Sequence, residues 1–180
     1  MKTWVGLIRG IGPSTHPVMP LRELQDRCTA AGLSNTQSLL ATGNLVFETN
    51  LPEQEIQQLL NDTIKSFGLE NHVVLRRPKE LRRAAHQNPF PDAASDRPAK
   101  LLVLFLPEQA EPAAEATIAE RAGSERVSVS EREVYIDYRA GVARSRLSPA
   151  FLERVLHQSG TARNWNTLTK LCESSHQREG

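Results

Sequence analysis

Cysteine is scarce in this chain of 180 residues. Cys28 and Cys172 are the only two, far apart and outside any C-x-x-C spacing, which excludes a disulfide framework and a paired-thiolate metal or redox centre. Long apolar runs are missing too: the longest is Leu101 to Leu106, against the roughly 20 residues that span a bilayer. No membrane helix is expected. The first ten residues are cut by Gly6 and Arg9 with no small-residue cleavage site after them, so no secretory signal is expected either. Neither sign of charge dominates. Twenty-two Lys+Arg face 21 Asp+Glu, a net +1, which excludes the wholesale phosphate neutralisation of a DNA-coating protein. The five histidines, His16, His72, His86, His157 and His176, lack metal-ligand spacing; no metal and no cofactor is expected. The remainder describes a soluble globular protein, 39% hydrophobic and long enough to build a core unaided. Its unpaired thiols suit a reducing cytoplasm.

The order of elements can be read from periodicity and punctuation. Lys2–Arg9 is expected to form a buried strand closed by Gly10, Gly12 and Pro13. A helix follows Pro20, with Leu21, Leu24, Cys28 and Ala31 on one side and Gly32 as its stop. Ser38–Leu40 and Leu45–Phe47 flank Thr42-Gly43-Asn44, a hairpin tip. Pro52 opens an amphipathic helix carried by Ile56, Leu59, Leu60, Ile64 and Phe67 and ended by Gly68, and His72–Arg76 gives a fourth strand. The result is β-α-β-β-α-β, the ferredoxin-like split pattern.

A helix over Lys79–Gln87 leads to a loop or linker at Asn88–Pro98, which holds three prolines. Beyond it the same order recurs: a strand at Leu101–Leu106, a helix over Glu108–Arg121, a hairpin of Val127–Val129 with Val134–Tyr138, and a helix capped by Ser148, begun by Pro149 and stopped by Gly160. A final helix is expected over about Asn164–Ser174, with Ser175–Gly180 fraying. The expected fold is therefore α+β, two ferredoxin-like (α-β plait) modules with antiparallel sheets plus a C-terminal helix. Their bounds are residues 1–78 and 99–180, with 79–98 as helix and proline-rich linker.

Two places hold residues suited to chemistry. In a split βαβ module the end of the first strand and the hairpin tip share a pole, which would join Arg9, Gly10, Gly12, Ser14 and Thr15 to Thr42, Gly43 and Asn44. Free backbone N–H groups, hydroxyls and one arginine are ingredients of a phosphate site, although glycines that merely turn the chain would look the same. Neither a dinucleotide fingerprint nor a Walker lysine is present. The second place is residues 139–172, where six basic residues (Arg139, Arg144, Arg146, Arg154, Arg163, Lys170) face one acidic residue, Glu153, a net +5. The preceding window, residues 100–138, has four basic and eight acidic residues, a net −4. Such asymmetry fits internal pairing or a basic patch. Arg144-Ser145-Arg146 and Arg163-Asn164-Trp165 offer guanidinium forks for an oxyanion, while Asn164 also suits an N-cap and Trp165 a core anchor.

No catalytic constellation stands out, so enzyme activity is neither assigned nor excluded. Cys28 falls on a core-facing helical phase. Cys172 follows Lys170, which would lower its thiol pKa, but its own phase is apolar. Ser145 lacks an identifiable base. An RNA-binding sheet would need exposed strand aromatics, and this one offers Trp4 and Phe47 alone, in a module whose charges cancel at seven against seven over residues 1–78. The partner these residues favour is a small anionic or phosphate-bearing ligand held by Arg9, Thr42 and Asn44, or by Arg144, Ser145, Arg146, Arg163, Asn164 and Lys170. Nucleic acid bound through the C-terminal basic segment is the alternative, and an enzyme of undefined reaction the third.

Several segments together carry a family resemblance. Ile8-Arg9-Gly10-Ile11-Gly12, Thr42-Gly43-Asn44-Leu45-Val46-Phe47, Asn88-Pro89-Phe90, Arg144-Ser145-Arg146-Leu147 and the Thr-x-Arg-Asn-Trp-x-Thr-x-x-Lys-Leu run from Thr161 to Leu171 resemble, in order, motifs of the family catalogued as domain of unknown function 1697. The usual Asn-Val-Gly-Gly turn of that family is replaced here by Gly12-Pro13-Ser14-Thr15, and a Gln before the hairpin by Ala41. The resemblance implies two α-β plait modules in a small, mostly bacterial, cytoplasmic protein. It implies no activity.

Overall fold

The computed structural model describes residues 1–178. Its elements run β1 (Lys2–Ile8), α1 (Leu21–Ala30), β2 (Ser34–Leu39), β3 (Asn44–Thr49), α2 (Glu53–Lys65), β4 (Val73–Arg76), α3 (Pro78–His86), α4 (Pro91–Asp96), β5 (Leu101–Phe105), α5 (Ala114–Arg121), β6 (Arg126–Ser130), β7 (Glu133–Asp137), α6 (Pro149–Leu156), β8 (Thr161–Asn164) and α7 (Trp165–His176). The fold is α+β, with two four-stranded antiparallel sheets ordered β2-β3-β1-β4 and β6-β7-β5-β8, and α7 is the expected C-terminal helix. The chain divides into two units, Met1–Arg82 with Leu171–Gly180, and Arg83–Lys170. No helix among the described residues is long and apolar enough to cross a membrane.

In the first unit, β1 is central, pairing with β3 (Trp4 opposite Phe47) and with β4 (Val5 opposite Arg76). Alternate residues of the strands share a face, so Trp4, Ile8, Leu45, Phe47, Val73 and Leu75 meet Leu24 and Cys28 of α1 and Ile56, Leu60 and Ile64 of α2 in one core. In the second unit β5 takes the central place between β7 and β8, and Val134, Ile136 and Tyr138 pack with Ile118 of α5 and Phe151, Leu152 and Leu156 of α6.

Four local expectations are corrected. The stretch Asn88–Pro98 contains α4, with Pro91 at its first turn, where a missing N–H costs nothing. The helix expected over Glu108–Arg121 begins only at Ala114, because Pro112 lacks a donor and steers Glu111 away from helical backbone. The Pro149 helix keeps its Ser148 cap, with Phe151 N donating to the hydroxyl at 3.3 Å, but it ends at His157 (φ 55°) rather than at Gly160. Gly160 serves close approach instead: a Cβ there would lie 2.7 Å from the Phe105 carbonyl oxygen, so the glycine lets β8 draw up against β5. Strand β8 itself was unforeseen. The tail also departs from fraying as far as Arg178, which donates to the Asn35 carbonyl at 2.6 Å and to Gln37 Oε1; residues 179 and 180 lie outside the described residues.

Both thiols are free. Burial pushes Cys28 up to about 12, with a Thr63 hydrogen bond opposing, and pushes Cys172 up to about 11 despite nearby Arg82. The lowered pKa considered for Cys172 is thereby reversed, since its helical phase leaves it partly buried and desolvation disfavours the thiolate. At pH 8 iodoacetamide should label neither cysteine at the rate of a free thiol, and both should become reactive in 6–8 M urea, roughly the range that unfolds small domains; mass spectrometry reads the difference.

Gly43 (φ 77°) lies where a Cβ would stand 2.6 Å from Ile11 Cγ1 and 2.9 Å from the Ile8 carbonyl oxygen, whereas a Cβ on Gly12 meets nothing within 4 Å. Gly43→Ala should cost about 2 kcal/mol in urea unfolding, from combined backbone strain and clash. Gly12→Ala should stay within about 0.5 kcal/mol of the parent.

Candidate functional site

The end of β1 gathers three chain segments. Ile8 N–H donates to Gly43 O at 2.8 Å and Arg9 N–H to His72 O at 2.9 Å, which ties the first loop to the hairpin tip and to the turn before β4. The Thr15 hydroxyl bridges the N–H and carbonyl of Gly12, each at 3.0 Å, and the His16 ring nitrogen lies 3.0 Å from Ala41 O. Thr42 is exposed and Arg9 half-buried. Asn44, by contrast, is fully buried and donates its amide to Leu39 O and Thr42 Oγ1, both at 3.0 Å. It braces the hairpin.

Beside this junction opens a cleft of about 360 Å³ lined by Asn61, Lys65, Glu70, Asn71 and His72, within the size range of small-molecule pockets. Asn71 Nδ2 donates to Arg9 O at 2.8 Å, so the wall of the cleft and the first loop are one assembly. Gln57 steadies the other side, donating to Asn61 Oδ1 at 3.3 Å and to Val73 O at 3.1 Å. Two amides, an ammonium and an imidazole against one carboxylate make a lining that can grip an oxyanion. Sequence reading passed over this set. The signal was Asn61 and Lys65, four apart on the polar face of α2, followed by Glu70-Asn71-His72 in the turn that returns to the sheet.

The C-terminal candidates separate into different environments. Arg163 on β8 is only 7% exposed, donates to Thr161 Oγ1 at 2.7 Å and Ala162 O at 2.8 Å, and has its pKa pushed down to about 10 by burial. Asn164 caps α7, its Oδ1 accepting from Thr167 N at 3.0 Å. Ser145 accepts from Leu147 N at 3.0 Å, and its hydroxyl bonds to Glu125, whose carboxyl is held below the usual range by that bond, by Gly123 N–H and by nearby Arg146. A carboxylate stabilised in this way is a weak base, so this contact does not activate Ser145 as a nucleophile. Arg144, Arg146 and Lys170 are exposed, and Arg121 Nε donates to Arg146 O at 3.2 Å. Trp4 and Phe47, the strand aromatics weighed as base-stacking platforms, are 7% and 0% exposed. Among the described residues no group of three or more His, Cys, Asp or Glu could hold a metal ion.

A charge network in the second unit was not foreseen. Asp137, at the end of β7, is completely buried and accepts from Arg97 Nε at 2.8 Å, Arg97 Nη2 at 2.6 Å and Arg126 Nε at 3.0 Å, with Arg139 Nε 3.5 Å away. Asp92 of α4 receives Arg126 at 2.7 and 2.8 Å and Arg97 at 2.9 Å. The Phe90 ring lies under Arg126 at 4.6 Å, oriented by a turn in which Asn88 Oδ1 accepts Phe90 N at 3.0 Å. The Asn88-Pro89-Phe90 element therefore seats a ring against the network.

Arg97 and Arg126 hold the Asp137 carboxyl below the ordinary carboxylate range, and Arg126 and Arg97 hold Asp92 down to about 2. A carboxylate whose pKa falls on folding contributes stability that is present above its unfolded pKa and lost as pH drops toward the folded one. Denaturation midpoints should therefore fall between about pH 4 and pH 2. Asp137→Asn should cost about 3 kcal/mol at pH 7, by leaving guanidinium groups without their buried partner, and its deficit relative to the parent should shrink across that acid range.

A conserved bacterial protein from Streptococcus pneumoniae, SP0830, has the same fold at a TM-score of 0.75 and 17% identity, covering 98% of this chain and 99% of that one. No curated protein matches the chain. The model of one family matches residues 1–135, a range that takes in the β1 turn, the hairpin, the cleft and the Asn88-Pro89-Phe90 element. The chain belongs to that family, described as protein of unknown function (DUF1697).

Proposed function

We propose that this protein binds a small anionic or phosphate-bearing ligand in the cleft formed by Asn61, Lys65, Asn71 and His72 beside Arg9. The observation that carries the reading is an open polar cleft of about 360 Å³ fastened by Asn71 to the β1 loop at 2.8 Å. Lys65 supplies charge, and Asn61 Nδ2 with the second N–H of Asn71 Nδ2 supplies donors for an oxyanion while the bonds to Gln57 and Arg9 O are kept. Glu70 sets a limit, because it repels ligands of high negative charge. The C-terminal residues support a ligand site less well, since Arg163, Ser145 and Asn164 are engaged inside the fold.

Each sheet with its two long helices is read here as an α-β plait of the ferredoxin-like kind. The order β2-β3-β1-β4, repeated as β6-β7-β5-β8, supports that reading. Two unpaired thiols, one buried and one partly buried, support a reducing cytoplasmic setting. Nucleic-acid binding remains a second reading because Arg144, Arg146 and Lys170 are exposed. Its mark would be affinity for RNA that falls steeply with salt.

Thermal unfolding in the presence of inorganic phosphate, nucleotides and carboxylate metabolites tests the first reading. A bound anion should raise the midpoint by mass action, and Lys65→Ala should weaken the response about tenfold, as loss of one charge-assisted hydrogen bond would. Arg144→Ala should respond like the parent. Failure of every anion to shift the midpoint, or an undiminished shift in Lys65→Ala, overturns the assignment.

A further inference from the structure

We propose that Trp4 and Arg77 form a second anion-binding site in the first unit, independent of the cleft, which accepts a single carboxylate or phosphate oxygen between the indole and the guanidinium. Register brings the pair together: Val5 stands opposite Arg76, so the preceding residue of β1 and the following residue of the antiparallel partner are neighbours. Arg77 Cζ lies 4.7 Å from the Trp4 ring centroid. Trp4 is only 7% exposed, its ring held in the core with Phe47, Leu45 and Ile56.

Both residues hold a buried donor with no acceptor in the protein, Trp4 Nε1 and Arg77 Nη1. Buried polar groups are nearly always satisfied, and the side chains that carry these two orphans lie against each other, one of them bearing formal charge. Glu80 Oε2 accepts the backbone N–H of Arg77 at 2.7 Å, while Trp4 Nε1 and Arg77 Nη1 themselves find no acceptor. Because both groups can only donate, the complementary ligand is an acceptor, and the guanidinium makes it an anion. An oxygen about 3 Å from each donor is compatible with the stacked geometry. Trp4 is walled in by the core, so the anion enters from the half-buried Arg77 side, where the long arginine stem can keep covering the ring while its head turns to the ligand.

Trp4 also supplies the readout. The chain has two tryptophans, so Trp165→Phe leaves Trp4 as the sole indole fluorophore. Sodium acetate and sodium phosphate are titrated separately into this variant against sodium fluoride at matched ionic strength. A saturable change in Trp4 emission is expected with at least one of them, and the more effective salt tells carboxylate from phosphate chemistry. Arg77→Gln should weaken the response at least tenfold and Arg77→Lys less, each checked for a cooperative thermal transition; Lys65→Ala should leave it intact. Trp4→Phe in the parent chain should lose the part of the anion-induced thermal shift that depends on Arg77. The proposal is overturned if neither anion alters Trp4 emission, if Arg77→Gln responds as the parent does, or if Lys65→Ala rather than Arg77→Gln removes the signal, which would place the anion in the cleft.

Discussion

A strand in the middle of a sheet must satisfy its backbone on both edges and its side chains on both faces, and β1 and β5 carry that constraint in this protein. β1 can bond to β3 and β4 at once only if the chain returns twice to its side, and each return deposits a loop at one of its ends. At the Ile8 end the hairpin tip and the turn before β4 arrive together, joined through Gly43 O and His72 O. At the Trp4 end the chain leaving β4 sets Arg77 over the indole. β5 repeats the arrangement: Leu101 stands opposite Asp137 at one end, where the arginine network collects, and Phe105 meets Gly160 at the other. The functional candidates of the first unit are thus products of strand order. They lie at the ends of its central strand because that is where separate segments are forced to meet.

This explains which parts were legible in the sequence. Elements with an apolar period and a local stop could be read residue by residue: β1 from Trp4, Val5, Leu7 and Ile8, α2 from Ile56, Leu60 and Ile64, and the tip at Gly43 whose positive φ demands glycine. The meeting of the β1 end with the hairpin tip, through Ile8 N–H and Gly43 O, also followed from topology. β8 stayed hidden because Thr161-Ala162-Arg163-Asn164 has no apolar run; the strand exists through pairing with β5, a tertiary cause that propensity does not record. α4 was obscured by prolines that in fact mark its start.

The chemistry was less legible than the fold. Cys172 beside Lys170 suggested an activated thiol, yet on a helix residues two apart do not face each other, and burial decides the pKa. The cleft was missed because its residues are ordinary surface types whose meaning comes only from sharing one concavity across α2 and the following turn. Asp137 falls inside the expected Val134–Tyr138 strand, where nothing in the sequence marks it out. Its role depends on Arg126, paired with it across the hairpin, and on Arg97 and Asp92, brought from before β5.

Charge counting failed for a related reason, one specific to arginine. A window of net charge treats each cation as equally available, but the planar guanidinium can be spent in several ways. Arg163 is spent inside a sheet on Thr161 and Ala162. Arg97 and Arg126 are spent on the buried Asp137 and the exposed Asp92. Arg27 lies 3.8 Å over Phe67 and Arg121 4.8 Å over Phe151, ring contacts that use the face of the group and leave its edge to bond elsewhere, as Arg27 does with Ser66 and Glu23. What makes an arginine a ligand anchor is therefore an N–H edge that the fold has desolvated without supplying an acceptor. Positive charge in a window measures none of this. By that criterion the +5 segment, which drew attention first, ranks below a single arginine in a stretch of balanced charge, Arg77, whose buried Nη1 and neighbouring indole N–H have already lost water and so gain most from an incoming anion.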